Sequence, residues 1–168
     1  MTRLVYVEEN EHYKIVFPDG VCYVELDRIY AGSNLKSVDI IVVTDEALVF
    51  MEYKNSTFPG AVNPQAFDER LTGEDHCTAI SRKYYDSLLY ALAKRLTDKP
   101  LYYHYVVEAS TLDRVSRKML AERIIRKLPF QLQMRMGVTL IDDFSVNSID
   151  DWNARYPDLA LLLIDKAP

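Results

Sequence analysis

Asp39, Glu52 and Lys54 are the side chains whose types and spacing best suit chemistry in this sequence. Asp39 opens the apolar run Asp39-Ile-Ile-Val-Val, and Glu52-Tyr53-Lys54 closes a second run, Leu48-Val-Phe-Met. Between them lies Thr44-Asp45-Glu46-Ala47, polar and short enough to be a turn. A β-hairpin with these limits carries two carboxylates and an ammonium at its open end. Such a cluster suits a divalent cation held next to a phosphate, because hard cations prefer carboxylate oxygens.

Register decides whether the three groups meet. With a two-residue loop at Asp45-Glu46, or a four-residue loop from Thr44 to Ala47, Asp39 falls opposite Glu52. Side chains alternate along a strand, so Glu52 and Lys54 share one face, and Asp39 joins them there. A three-residue loop shifts the pairing by one and sends Asp39 to the other face. Ile41, Val43, Leu48 and Phe50 accompany the cluster, while Ile40, Val42, Val49 and Met51 lie on the opposite face. Strands apolar on both faces are covered on both, as in the middle of an α/β sheet. Two carboxylates about 4 Å apart in such a place repel by roughly 4 kcal/mol at an effective dielectric near 20. Lys54 offsets part of that, and a divalent cation would offset more.

The elements that must position this hairpin follow from pattern. Tyr13-Lys-Ile-Val-Phe and Val21-Cys-Tyr-Val-Glu-Leu read as a strand pair joined by the Pro18-Asp19-Gly20 turn. After Lys54, a stretch rich in turn formers runs to Pro64, long enough to serve as a flap over the site. Residues 78–96 carry Ile80, Tyr84, Leu88 and Ala91 at helical spacing, with Leu92 and Leu96 widening the stripe. Leu101-Tyr-Tyr-His-Tyr-Val-Val reads as a buried strand, with its tyrosines and His104 in structural roles. Thr111 is the expected N-cap of a helix that ends before Pro129 and is kinked or contacted from two sides. Val138-Thr-Leu-Ile is the next expected strand, then a short helix over 149–156, then Leu159-Ala-Leu-Leu-Leu-Ile as a strand or buried helix. This order predicts one α/β domain over residues 1–168, with a central mixed β-sheet flanked by helices.

Bulk composition narrows the function classes. The 168 residues are 49% hydrophobic and 27% charged, enough for one domain with a substantial core. No apolar run reaches the roughly 20 residues of a membrane span, and the start lacks the layout of a secretory signal. Cys22 and Cys77 are far apart and in no metal-spacing motif, which points to a reduced, cytoplasmic setting and away from zinc and iron–sulfur sites. The net charge is −5, yet residues 111–136 hold seven basic side chains against Asp113 and Glu122. That segment is either a local phosphate-binding surface or a solvated helix face. No phosphate loop, nucleophile elbow or dinucleotide fingerprint is present.

An aspartate at a strand edge, an apolar return strand ending in Glu-x-Lys, then a helix and a strand resembles the PD-(D/E)XK nuclease superfamily, with its restriction-endonuclease-like fold. The resemblance covers residues 35–108 and rests on Asp39 within Val38-Asp39-Ile40-Ile41-Val42 and on Glu52-Tyr53-Lys54. Val38 stands where the family's naming proline would be, and Glu25 is the best stand-in for the accessory acid that members often carry on a helix before this hairpin. The resemblance implies a metal-dependent phosphodiesterase acting on DNA. Asp39, Glu52 and the Tyr53 backbone carbonyl would hold Mg²⁺ or Mn²⁺, with Glu25 as a further candidate. Lys54 would assist the attacking water. Gln65, Arg82, Lys83, Arg117 and Lys118 are candidates for contacting the substrate. A homodimer or a partner subunit is compatible with this reading.

Glu-x-Lys alone is common, and its plain reading is an edge ion pair of little energetic weight. The competing function is a non-catalytic nuclease-like module that binds or regulates within a larger assembly.

Overall fold

The structure, a computed structural model, describes residues 4–165. In chain order its elements are β1 (Val5–Val7), β2 (Tyr13–Val16), β3 (Cys22–Val24), β4 (Ile40–Val43), β5 (Leu48–Asn55), α1 (Pro64–Arg70), α2 (Glu74–Ala93), β6 (Leu101–Glu108), α3 (Arg114–Ile125), α4 (Phe130–Met136), β7 (Asp143–Asn147), α5 (Ile149–Arg155) and β8 (Leu162–Leu163). Five strands form a mixed sheet in the order β3-β4-β5-β6-β7, antiparallel from β3 to β5 and parallel from β5 to β7. β1, β2 and β8 form a small antiparallel sheet of their own. The chain is therefore a single α/β domain with a central mixed sheet flanked by helices.

Both faces of the central sheet are covered, as the two-sided apolar pattern of β4 and β5 demands. On one face Ile41, Leu48, Phe50, Tyr103 and Tyr105 pack with Ile80, Tyr84 and Leu88 of α2 and Leu120 and Ile124 of α3. On the other, Ile40, Val42, Val49 and Met51 pack with Ile15 and Phe17 from the small-sheet side and with Trp152 of α5. Asp39, Glu52 and Lys54 belong to the α2 side by strand alternation.

Several sequence expectations need correction. Pro18-Asp19-Gly20 does not close a hairpin: β2 pairs with β1 and β8, while β3 pairs with β4, so the turn passes the chain between two sheets. Gly20 has φ 85°, a left-handed conformation that glycine adopts without a Cβ penalty. Helix α2 begins at Glu74, and Leu92 is exposed rather than part of its buried stripe. Thr111 does not cap α3; the Asp113 carboxylate accepts the Ser116 N–H at 2.7 Å and fixes the start two residues later. Residues 138–141 are not a strand. The Gln133 side chain accepts from the Leu140 and Ile141 N–H groups and donates to the Ile141 carbonyl, which holds the segment as a loop. β7 consequently starts at Asp143. The last apolar stretch splits into a 3-10 turn at Pro157–Leu159 and the two-residue β8.

Candidate functional site

The β4–β5 turn takes the register that brings the three groups together. Ile40 pairs with Met51 and Val43 with Leu48, leaving Asp45-Glu46 as a two-residue tip. Thr44 fixes that tip: its N–H donates to the Ala47 carbonyl at 3.0 Å, and its hydroxyl accepts from the Glu46 and Ala47 N–H groups. One step past the paired end, Asp39 faces Glu52. The Asp39 Oδ2 accepts the Tyr53 N–H at 2.7 Å, so the carboxylate continues the ladder where the backbone of β4 leaves it. The N–H and C=O of one strand residue project to the same side. The Tyr53 carbonyl therefore points toward the Asp39 edge too.

Helix α2 supplies the rest of the site. The Ser87 hydroxyl accepts the Val38 N–H at 3.0 Å and ties the residue before Asp39 to the helix. One turn earlier, Lys83 donates to the Glu52 Oε1 at 2.6 Å, and Lys54 Nζ lies 3.3 Å from the same oxygen. Glu52 is 0% exposed, and its Oε2 is the one buried side-chain oxygen or nitrogen among the described residues with no hydrogen-bond partner. Two cations thus crowd one oxygen while the other is left bare.

Charge follows this geometry. Burial and the neighbouring Asp39 push the Glu52 carboxyl up to about 7, against the downward pull of Lys54 and Lys83. Burial pulls the Lys54 ammonium down, but Glu52 and Asp39 outweigh it and hold the lysine above its usual value. Behind the ion cluster, the His76 Nε2 lies 3.0 Å from the Tyr105 hydroxyl. Burial, then Lys54, Arg70 and Lys83, depress that imidazole to about 4, so it is neutral at physiological pH.

Asp39 and Lys54 open onto a cleft of about 500 Å³ between the β1–β2 hairpin and the 56–63 loop. Glu8, Glu9, Glu25 and Asp27 also line it, so among the described residues Lys54 is its one cation beside five carboxylates. Two of those acids serve structure: Glu8 accepts the Asn10, His12 and Tyr13 N–H groups, and Asp27 accepts the Ser37 hydroxyl at 2.7 Å. Phe58 of the loop packs on His12 with centroids 4.4 Å apart and the rings tilted by 44°, joining the two walls. The expected flap thus lines the cleft.

Glu25 lies just past β3, exposed on this cleft with Asp39. Gln65 does not reach the site; it borders a separate hollow with Ser110 and Ser116. Arg82 is tied to the Asn34 carbonyl at 2.8 Å and to Asp86 at 3.4 Å. Arg117 donates to the Leu112 carbonyl and pairs with Asp151 at 3.8 Å. Lys118 is exposed on α3 and does not line the cleft. Of the candidate substrate contacts, Lys83 alone joins the cluster. Sequence reasoning did not connect His76, Tyr105, Asp27 or Glu9 with the site. A helical position one turn before Ser87 marks Lys83 as inward-facing, but no local pattern foretells that β1 borders the cleft.

The donor set fits a hard divalent cation in part. Glu52 has a bare, buried oxygen, Asp39 faces it, and the Tyr53 carbonyl points to the same edge. Among the described residues, however, no three His, Cys, Asp or Glu side chains already converge as a metal-holding group. No helix among the described residues is long and apolar enough to cross a membrane. No family model, curated protein or solved structure matches this chain.

Proposed function

We propose that the chain is a divalent-metal-dependent phosphodiesterase acting on DNA, as its resemblance to PD-(D/E)XK nucleases implies. The observation that carries the reading is Glu52: fully buried, facing Asp39, and lacking any partner at Oε2. Burying a carboxylate oxygen without a partner is costly, and a fold retains such an atom most readily where a ligand completes it.

Asp39, Glu52 and the Tyr53 carbonyl would hold Mg²⁺ or Mn²⁺, with Glu25 available from the same cleft. The ion, when bound, polarises a phosphate oxygen and lowers the pKa of a coordinated water. Lys54, bordering both Glu52 and the cleft, positions the attacking water and stabilises charge developing on the phosphate. Lys83 lies on the helix side and holds the Glu52 Oε1 at 2.6 Å, which orients the carboxyl group. The cleft's excess of acids repels phosphate until a cation is in place, which makes metal binding a prerequisite for substrate. Arg114, Lys118 and Arg123 on the exposed side of α3, and Arg126 just past its end, offer backbone contacts to DNA outside the cleft.

A second reading has one specific observation in its favour. Lys83 and Lys54 already compensate Glu52, as in a structural ion cluster of a non-catalytic module. Calorimetric titration with Mn²⁺, comparing wild type with Glu52→Gln, separates the two. Saturable binding that the variant loses supports the metal site. A folded wild type that takes up no Mn²⁺ at millimolar concentration favours the non-catalytic module.

A further inference from the structure

Helix α2 carries two apolar stripes; the domain buries one and touches the other where the Tyr85 hydroxyl donates to the Lys127 carbonyl at 2.9 Å. Cys77, Ile80, Tyr84, Leu88 and Ala91 face the core and are buried. One position on, Tyr85, Leu89 and Leu92 recur at i, i+4 and i+7 and stand 39%, 52% and 48% exposed. Thr78 and Arg82 extend the same alternating four-and-three spacing toward the N-terminus. That spacing keeps one seam facing a partner helix along its length. An ordinary surface helix has no need of a second apolar seam.

We infer that this outer seam of α2 is the contact face of a homodimer, in which α2 packs antiparallel on the same helix of a second copy. Charge selects the occupant and its direction. Glu74 and Asp75 lie at the N-terminal end of the helix and Arg95 follows its C-terminal end, all exposed, while Lys94 turns to the other side and lies over the Tyr90 ring. Parallel copies would align like charges and helix dipoles; antiparallel copies bring each acidic end toward the partner's basic end. Glu74 is already shared with Lys127, which leaves Asp75 as the free acid for this pairing. A two-fold axis near the middle of the seam makes the surface complementary to itself, the usual form of a closed dimer. At 20 residues the helix is about 30 Å long, enough for several seam layers. The dimer is independent of the chemistry proposed for the cleft, although the inner face of the same helix delivers Lys83 to Glu52.

Sedimentation equilibrium of the full chain tests this. The expected species has twice the 19.5 kDa chain mass at micromolar concentration. Leu89→Glu should raise the dimer Kd by roughly 100-fold, since a charge then sits in the seam of both copies. Leu89 is exposed, so circular dichroism and the melting transition of that variant should match wild type. Asp75→Lys should weaken association about tenfold, and adding Arg95→Asp should restore it. A wild type that stays monomeric at 200 µM overturns the proposal, as does a dimer that Leu89→Glu leaves intact. A charge swap that fails to restore association overturns the antiparallel arrangement.

Discussion

Glu52 and His104 sit on adjacent strands of one sheet, both 0% exposed, and the protein treats them in opposite ways. His104 faces the α5 side. Its Nδ1 is 2.7 Å from the Ser145 hydroxyl and 3.2 Å from the Asn147 Oδ1, and its Nε2 is 2.8 Å from the Tyr156 hydroxyl. The Trp152 and Tyr156 rings meet it edge-on. Burial and Arg155 depress the imidazole to about 4, so the group is neutral and both nitrogens are engaged. Glu52, under α2, has two ammoniums on one oxygen and nothing on the other. A closed polar network specifies structure, whereas an open one costs stability that packing must supply elsewhere. On the function proposed above, the α5 side serves architecture and the α2 side would serve chemistry.

The largest expected effect divides the two sides by activity. Glu52→Gln and Asp39→Asn should each lower Mn²⁺-dependent cleavage of a DNA substrate by at least about 10³-fold. Lys54→Ala should spare Mn²⁺ binding and slow turnover by about 10²-fold. His104→Gln should leave turnover per folded molecule unchanged. Equal losses from His104→Gln and Glu52→Gln, measured on folded protein, would break the comparison.

Opposite protonation gives opposite pH windows. Glu52 is held near 7 against an ordinary 4.5, so the native state keeps its proton longer than the unfolded chain. Its contribution to stability is full below about 4.5 and is lost as pH rises through 7, a change of about 3 kcal/mol. His104 is held near 4 against an ordinary 6.5, and its contribution is full above about 6.5 and is lost as pH falls through 4, by a similar amount. Urea unfolding between pH 4 and 8 reads both. Relative to wild type, Glu52→Gln should gain stability as pH rises through its window, and His104→Gln should gain as pH falls through the other. Difference profiles of the same sign would contradict the assigned charge states.

The hairpin was legible as two apolar runs around a short polar turn, and a two- or four-residue loop alike places Asp39 opposite Glu52, as the structure has it. Asp39, Glu52 and Lys54 were found together for that reason. The cleft was not, because its second wall is β1–β2, and nothing local tells Glu8 or Glu9 that β2 leaves β3 for another sheet. Likewise Gln133, which turns residues 140–141 from strand to loop, acts through one side-chain amide that no periodicity reports. On α2, one apolar stripe widened by Leu92 was read from the sequence, and packing alone reveals that Leu92 is exposed with Tyr85 and Leu89.

Lys83 sharpens the comparison on the α2 side alone. If its ammonium occupies charge that a metal would otherwise balance, Lys83→Met should tighten Mn²⁺ binding about tenfold, or about 1.4 kcal/mol. Unchanged affinity with lower thermal stability would instead make the lysine structural.

Two serines, one on each side, give the remaining expected effects. Ser87 accepts the buried Val38 N–H beside Asp39, so Ser87→Ala leaves that donor unpaired at a cost of about 1–3 kcal/mol. Loosening Val38 also loosens Asp39, so Mn²⁺ affinity should fall together with stability. Ser148 caps α5 through a reciprocal pair with Asp151, at 3.0 and 3.1 Å. Ser148→Ala should cost about 1 kcal/mol and leave metal affinity untouched, because α5 covers the closed His104 network. Urea unfolding and Mn²⁺ titration of the two variants place each on a plane of stability against affinity. Ser87→Ala should move along both axes and Ser148→Ala along one; a Ser148→Ala variant that also weakens Mn²⁺ binding would mean that the two faces of the sheet are energetically one region.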